Sequence, residues 1–208
     1  MSRTTSAKKS ETSNEIPVAV PEDRIPPRER IVSTASELFR ERGIRGIGVD
    51  AIADAALTNK MTLYRHFGSK DELIAACLRE QAQQAETRWA ELEAAFPDPR
   101  ARLHGWVRIA AGLACGENRG CDLANAAIEL PDEDHPARRV IEEFKRTQRD
   151  RLAALCRAAG ATDADTLADS LSLLLEGARV SRQSVGPDGP CGRFVRAADM
   201  LIATLLDT

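Results

Sequence analysis

The sequence predicts an all-α protein, three short N-terminal helices followed by six others, and three observations predict it. Aromatic residues make up only 4% of a chain that is 43% hydrophobic, so the core must come mainly from Leu, Ile, Val and Ala. Ala and Leu are strong helix formers, whereas strands draw on β-branched and aromatic side chains. Apolar residues recur at three- and four-residue spacings. Gly, Pro, Ser and Asp stand at the ends of those runs, where helices start and stop.

Residues 1–25 are rich in Ser, Thr, Lys and Glu without apolar periodicity, and they read as a disordered arm. After Pro26-Pro27, the spacing of Ile31, Ala35, Leu38 and Phe39 predicts a first helix, with Gly43 as its C-cap. A short second helix follows, with Asp50 in its first turn and Ile52, Ala53 and Ala56 on one side. Thr58 is the expected N-cap of a third, containing Met61, Leu63, Tyr64 and Phe67. Gly68 ends it, and Ser69 caps a long helix with Asp71 and Glu72 at its positive end. That helix runs to about Phe96, where Pro97 and Pro99 intervene. Further helices are predicted at about 99–116, 121–130, 136–159, 163–185 and 191–206. Gly186 to Pro190 forms a loop between the last two.

Composition excludes several function classes. No apolar stretch approaches the ~18 residues that span a bilayer, and no secretory signal is visible, so a cytoplasmic location is expected. Five scattered cysteines, Cys77, Cys115, Cys121, Cys156 and Cys191, read as apolar fillers rather than a disulfide framework. Cys115 and Cys121, flanking a glycine-bounded bend, are the closest pair in sequence, and a redox switch there is the alternative to filler. His66, His104 and His135 lack metal-ligand spacing with the cysteines, so no metal or cofactor is expected. No Ser-His-Asp ordering or phosphate-cradling glycine loop points to an enzyme, and no catalytic residue is assigned.

Charge is distributed more tellingly than its net value of −3. Residues 1–80 hold 13 Lys/Arg against 12 Asp/Glu, and residues 81–208 hold 16 against 20. Between Asp54 and Asp71 there is no acidic residue, while Lys60, Arg65 and Lys70 all fall there. An acid-free basic window is where a polyanion can approach. Two short helices joined by a brief turn, the second basic, match a helix-turn-helix, whose second helix enters the major groove. Leu63 and Phe67, four apart, would pack against Ile52 and Leu38, while Lys60 and Tyr64 would face phosphates. The alternative is an ordinary helical subdomain with Tyr64 in its core.

Three runs narrow the choice: Phe39-Arg40-Glu41-Arg42-Gly43, Gly48-Val49-Asp50-Ala51-Ile52-Ala53, and the stretch from Thr62 through Tyr64, Phe67, Gly68, Ser69 and Lys70 to Leu73. In order and spacing they resemble the tetracycline-repressor (TetR) family of one-component regulators over about residues 28–75. The resemblance implies a helix-turn-helix DNA-binding domain over 26–72 and a ligand-binding and dimerisation domain over 73–208. It further implies a homodimer that binds a palindromic double-stranded operator and is released by a small-molecule effector. By position, Thr58, Asn59, Lys60, Met61 and Thr62 would face bases and backbone, Tyr64, Arg65 and His66 would end the reading helix, and Lys70 would meet phosphate. Repression is the expected mode. An activator, or a helical binding module that does not read an operator, is the alternative.

Departures from the family pattern carry their own expectations. Leu57 stands where relatives often have glycine, which argues against a left-handed turn there. Gly48 replaces a common hydroxyl residue, so that phosphate contact should be missing. Met61 replaces a frequent glycine and offers an apolar contact to a thymine methyl.

Beyond residue 75 the resemblance is architectural. The segment 163–185 carries Leu167, Leu171, Leu173, Leu174, Leu175 and Ala178 on nearly all sides, which demands burial on several faces. With 191–206 it matches what the resemblance implies for a dimer interface, core burial within a monomer being the alternative. Trp106, Leu113, Asn125, Phe144 and Arg179 are the candidate ligand-binding residues. Core packing is the simpler reading of Trp106 and Phe144, backbone bonding that of Asn125, and an exposed position that of Arg179. Turned inward, Arg179 would favour an anionic effector.

Overall fold

Pro27 opens helix α1 (Pro27–Arg42), where its missing N–H is one of the four that no intrahelical carbonyl satisfies. The computed structural model describes residues 25–116, 121–186 and 188–206. The expected arm lies outside them, apart from Ile25. Helices α2 (Val49–Ala55), α3 (Lys60–Phe67), α4 (Lys70–Ala95), α5 (Pro99–Cys115), α6 (Asp122–Glu129), α7 (Pro136–Ala158), α8 (Ala164–Val185) and α9 (Phe194–Leu205) follow. A short 3-10 turn, Pro190–Arg193, leads into α9. Among the described residues there is no strand, only an isolated antiparallel bridge between Ala161 and Leu206. No helix there is long and apolar enough to cross a membrane.

Local chemistry sets the boundaries. Asp98 Oδ2 accepts from the Ala101 amide at 2.8 Å and Asp163 Oδ1 from Thr166 at 3.0 Å, so α5 and α8 start on capping carboxylates. The Thr166 amide also holds the Asp163 carboxyl below the usual carboxylate range. Ser69 Oγ accepts from the Glu72 amide at 3.0 Å to start α4, as its sequence position predicts. Gly43 ends α1 at φ +78°, and a Cβ there would sit 3.1 Å from Glu129 Oε2. Only glycine serves both needs.

The turn between α2 and α3 departs from expectation twice. Leu57 adopts φ +49°, the one positive φ at a non-glycine among the described residues. The turn is left-handed despite the leucine because it closes a Schellman pair: Thr58 N–H donates to Ala53 O at 2.9 Å and Leu57 N–H to Asp54 O at 3.1 Å. Nor does Thr58 cap α3. Asn59 does, its Oδ1 accepting from the Thr62 amide at 2.8 Å. The Leu57 side chain is 67% exposed, so packing does not compensate the backbone strain. An L-residue in this region costs about 1–2 kcal/mol, while glycine returns about 0.5–1 kcal/mol in unfolded-state entropy. Leu57→Gly should therefore raise stability by up to about 1 kcal/mol, seen as a higher urea midpoint. An equal or lower midpoint would show that the turn is unstrained.

Three buried clusters lie along α4. Ile31, Ala35, Ile52, Leu63 and Phe67 form the first with Leu73, Ala76 and Cys77 of α4. Ile44, Leu123, Ala126, Leu130 and Ile141 form the second with Ile74, Ala75 and Leu78. The largest joins Trp89 and Leu92 to α5, α7, α8 and α9 around Phe194 and Leu171. Over its 26 residues α4 therefore runs about 39 Å through every core. Helix α8 is buried on one side only: Leu167, Ala168 and Leu171 are inside, while Leu173 and Val180 lie open at 73% and 61%.

Candidate nucleic-acid interface and ligand cavity

Helix α3 is anchored through one face. Leu63 is fully buried and Phe67 nearly so, with the Arg28 guanidinium 5.5 Å from the Phe67 ring centroid. The opposite face is open. Asn59, Lys60, Met61, Tyr64, Arg65 and His66 are exposed, while Thr58 and Thr62 are half-buried. Tyr64 at 41% is therefore not a core residue. Met61, at 81%, projects furthest from protein contact in the first turn of α3. With no acid in that turn and Arg65 and His66 in the last, the helix offers a polyanion a positive surface.

Two of the basic residues have partners within the chain. Lys60 Nζ lies 3.1 Å from Asp50 Oδ2, which raises the lysine's pKa by hydrogen bonding and charge. Both side chains are more than half exposed, so the pair is a weak one that a phosphate can replace. Lys70 turns inward, its Nζ donating to Ile44 O at 2.7 Å, and partial burial lowers its pKa. Its other two protons remain to be placed.

The loop after α1 is joined to α6. Glu129 Oε2 accepts from the Ile44 amide at 2.7 Å and the Arg45 amide at 3.3 Å, so Ile44 is held by Glu129 at its N–H and Lys70 at its C=O. Beside them Arg40 forks onto Asp122, Nε to Oδ1 at 3.3 Å and Nη2 to Oδ2 at 3.0 Å. Sequence reasoning missed Arg40, Asp122 and Glu129 because each pairs across more than 80 positions.

A cavity of about 240 Å³ opens between α4, α5, α7 and α8. Trp106, Leu113, Phe144 and Arg179 all line it. Asn125 does not: it lies on a separate cleft of about 30 Å³ with Phe39, Arg40, Ile44 and Leu78. The reason is that α6 leans on the first half of α4 and the loop after α1, away from the larger cavity. Arg179 also corrects the sequence reading, since its side chain is only 14% exposed and bonds Glu176 Oε1 at 3.2 Å. Lys145 approaches the same oxygen at 2.5 Å. Arg88, Trp89 and Gln148 line the cavity as well and were not foreseen. Trp89 Nε1 donates to Gln148 Oε1 at 2.6 Å. Gln148 sits four residues from Phe144, one helical turn along the same face, which is the signal that could have found it.

The cysteines regroup. Cys115 Sγ donates to the Cys191 carbonyl at 3.1 Å, while Cys121 packs in another cluster, so Cys115 and Cys121 are not neighbours in packing. Burial and the adjacent Cys191 thiol push the Cys115 thiol up. Burial likewise raises Cys77 and Cys156 to about 11, so neither is a thiolate near neutrality.

Comparison with known proteins agrees with this arrangement. Residues 31–77 match the family described as bacterial regulatory proteins, tetR family. The chain is similar to sav143 of Streptomyces avermitilis, described as a tetR-type transcriptional regulator, at 32% identity and a TM-score of 0.72, covering 87% of this chain and 98% of that one. It is similar to SCO4454, a TetR-family transcriptional regulator of Streptomyces coelicolor, at 25% identity and a TM-score of 0.81, covering 87% and 96%. With the HTH-type transcriptional repressor DhaR of Mycobacterium sp. (strain GP1) it shares 32% identity over 108 residues, 51% of this chain and 54% of DhaR. The chain thus spans about half the length of the curated relatives it matches.

Proposed function

The chain belongs to the tetR family of bacterial regulatory proteins, a family of regulators rather than enzymes, and from that premise we propose that it represses transcription as an operator-bound homodimer released by a small-molecule effector. It is a transcriptional regulator. The observation that carries the finer reading is α3, anchored by Leu63 and Phe67 and open along Lys60, Met61, Tyr64 and Arg65. In this reading residues 26–72 are the reading head, with a core that extends through Cys77, and 73–208 the effector and dimer unit. Thr58 to Thr62 and Tyr64 to His66 contact the duplex, and Lys70 supports a phosphate from the start of α4. Outward Leu173, Val180 and Met200 on α8 and α9 supply apolar surface for a two-fold partner.

The effector occupies the cavity of Trp106, Leu113, Phe144 and Arg179. Because α4 lines that cavity with Arg88 and Trp89 and packs into the head with Leu73 and Cys77, a shift of α4 moves the head. The experiment is a gel shift on DNA upstream of the chain's own gene at several salt concentrations. Affinity should fall steeply with salt, by about 0.9 log unit per log unit of salt for each phosphate neutralised. A salt-independent or absent shift would overturn operator reading.

The joint to α6 gives a sharper test of the route. Glu129→Gln keeps the side-chain shape but weakens the acceptor for two amides. Operator affinity without effector should change little, while the response to effector, ordinarily about 1–3 kcal/mol in such proteins, should shrink to about 1 kcal/mol or less. Paired titrations with and without effector check it, and an undiminished response would remove α6 from the pathway.

A further inference from the structure

We propose that the cavity between α4, α5, α7 and α8 takes a small organic carboxylate with an apolar body. This rests on the reading of that cavity as the effector site and assigns the ligand's chemistry. Its walls supply the apolar part through Trp106, Phe144, Leu92 and Leu113, and about 240 Å³ suits a molecule of roughly ten to fifteen heavy atoms.

The polar lining is unbalanced toward donors. Arg179 Nε and Gln148 Nε2 are both buried, and neither finds a protein acceptor. Gln148 cannot turn its amide over, because its oxygen takes the Trp89 indole proton. Arg88 faces the same space and makes no ion pair among the described residues. Arg88 and Arg179 line the same cavity, and burial, then the charge of Arg179, pushes the Arg88 guanidinium down from its ordinary value against the smaller opposing pull of Glu91. The acid on this wall, Glu176, is already shared by Lys145 and Arg179. Arg149 is held by Asp169 at 2.8 Å and Asp165 at 2.9 Å. What remains is positive charge with unmet N–H groups, and burying such donors unmet is costly. A carboxylate meets both demands: one negative charge, and two oxygens able to accept from a guanidinium and an amide together. A cationic ligand would add a third positive charge, and a neutral apolar one would leave the donors unmet.

The chain carries its own reporter, since both of its tryptophans, Trp89 and Trp106, line the cavity. The full chain is titrated with phenylacetate and octanoate, with 2-phenylacetamide and octanamide as neutral partners and phenethylamine and octylamine as cationic ones, following tryptophan emission and operator affinity together. The acids should shift emission saturably, the amides should bind about tenfold more weakly or worse, and the amines should not bind. Arg179→Met and Arg88→Met should each weaken the acids by about tenfold to a hundredfold. Arg88→Met should not lower the melting temperature of the free protein, because Arg88 makes no ion pair among the described residues, whereas Arg179→Met also takes a partner from Glu176 and is read on affinity alone. A merely structural arginine would show the reverse, a lower melting temperature at unchanged affinity, and that result would overturn the proposal. Amides or amines binding as well as the acids would also overturn it while leaving the effector-site reading intact. Acids that bind without changing operator affinity would support the carboxylate chemistry and sink the effector reading instead. Emission unmoved by all six compounds would overturn the proposal.

Discussion

Met61→Glu is expected to abolish operator binding while leaving the protein folded and slightly more stable. Met61 is 81% exposed, so its removal takes nothing from a core. It is the second residue of α3, whose first turn holds no acid, and a carboxylate there gains about 0.3–1 kcal/mol from the helix dipole. In the proposed docking the same charge would face phosphates where α3 enters the groove, and like-charge juxtaposition costs several kcal/mol. The proposed homodimer would meet that cost in both half-sites, so affinity should fall by more than about a hundredfold. Gel shifts at fixed salt measure the loss, and a thermal melt by circular dichroism measures the fold. Unchanged affinity in a folded variant would mean that α3 does not enter the duplex.

Leu63→Ala should act by the opposite route. Leu63 is fully buried between α1, α2 and α4, and truncating a buried leucine costs about 2–5 kcal/mol. The head holds only a small cluster of buried side chains, so a loss of that size is a large share of its stability. Trp89 and Trp106 belong to a different core, around Phe194 and Leu171. Helical circular dichroism should therefore show an early partial transition, while tryptophan emission melts near the wild-type temperature. Coincident transitions by both probes would show that the cores unfold as one unit.

Much of this architecture is legible in the sequence, because helix ends are written locally. Pro27, Ser69, Asp98, Asp163 and Gly43 each act within four residues, and each ends or starts a helix where pattern reading puts it. The anchored face of α3 is equally local, since Leu63 and Phe67 sit one turn apart. Leu57 misleads because propensity disfavours the conformation that two backbone hydrogen bonds impose. Asn59 replaces Thr58 as cap for the same reason: the Schellman turn extends one residue further than a glycine-free sequence suggests.

The cavity was half legible. Trp106 and Phe144 are candidates in the sequence, with core packing as their simpler reading, but whether a polar side chain turns inward depends on the partner helix, which periodicity does not contain. Arg179 turns in because Glu176 lies one turn before it. Gln148 turns in to meet Trp89, 59 positions away. Asn125 goes elsewhere because α6 packs against Ile44 and Ile74 rather than closing the ligand space.

Ile44 is gripped at both ends of its peptide, by Glu129 through N–H and by Lys70 through C=O. Only Glu129's two bonds cross from α6 into the first domain, since Lys70 stands at the start of α4, so a displacement that takes Glu129 Oε2 out of hydrogen-bond reach frees both amides at once. On the proposed reading the joint is latched rather than sprung: one oxygen holds two amides or neither, and the response to a bound molecule would set in as a release threshold. Retuning that threshold needs one substitution at Glu129, outside the surfaces proposed to read DNA and ligand, so regulators of differing sensitivity can arise from this scaffold without a change in what either surface recognises.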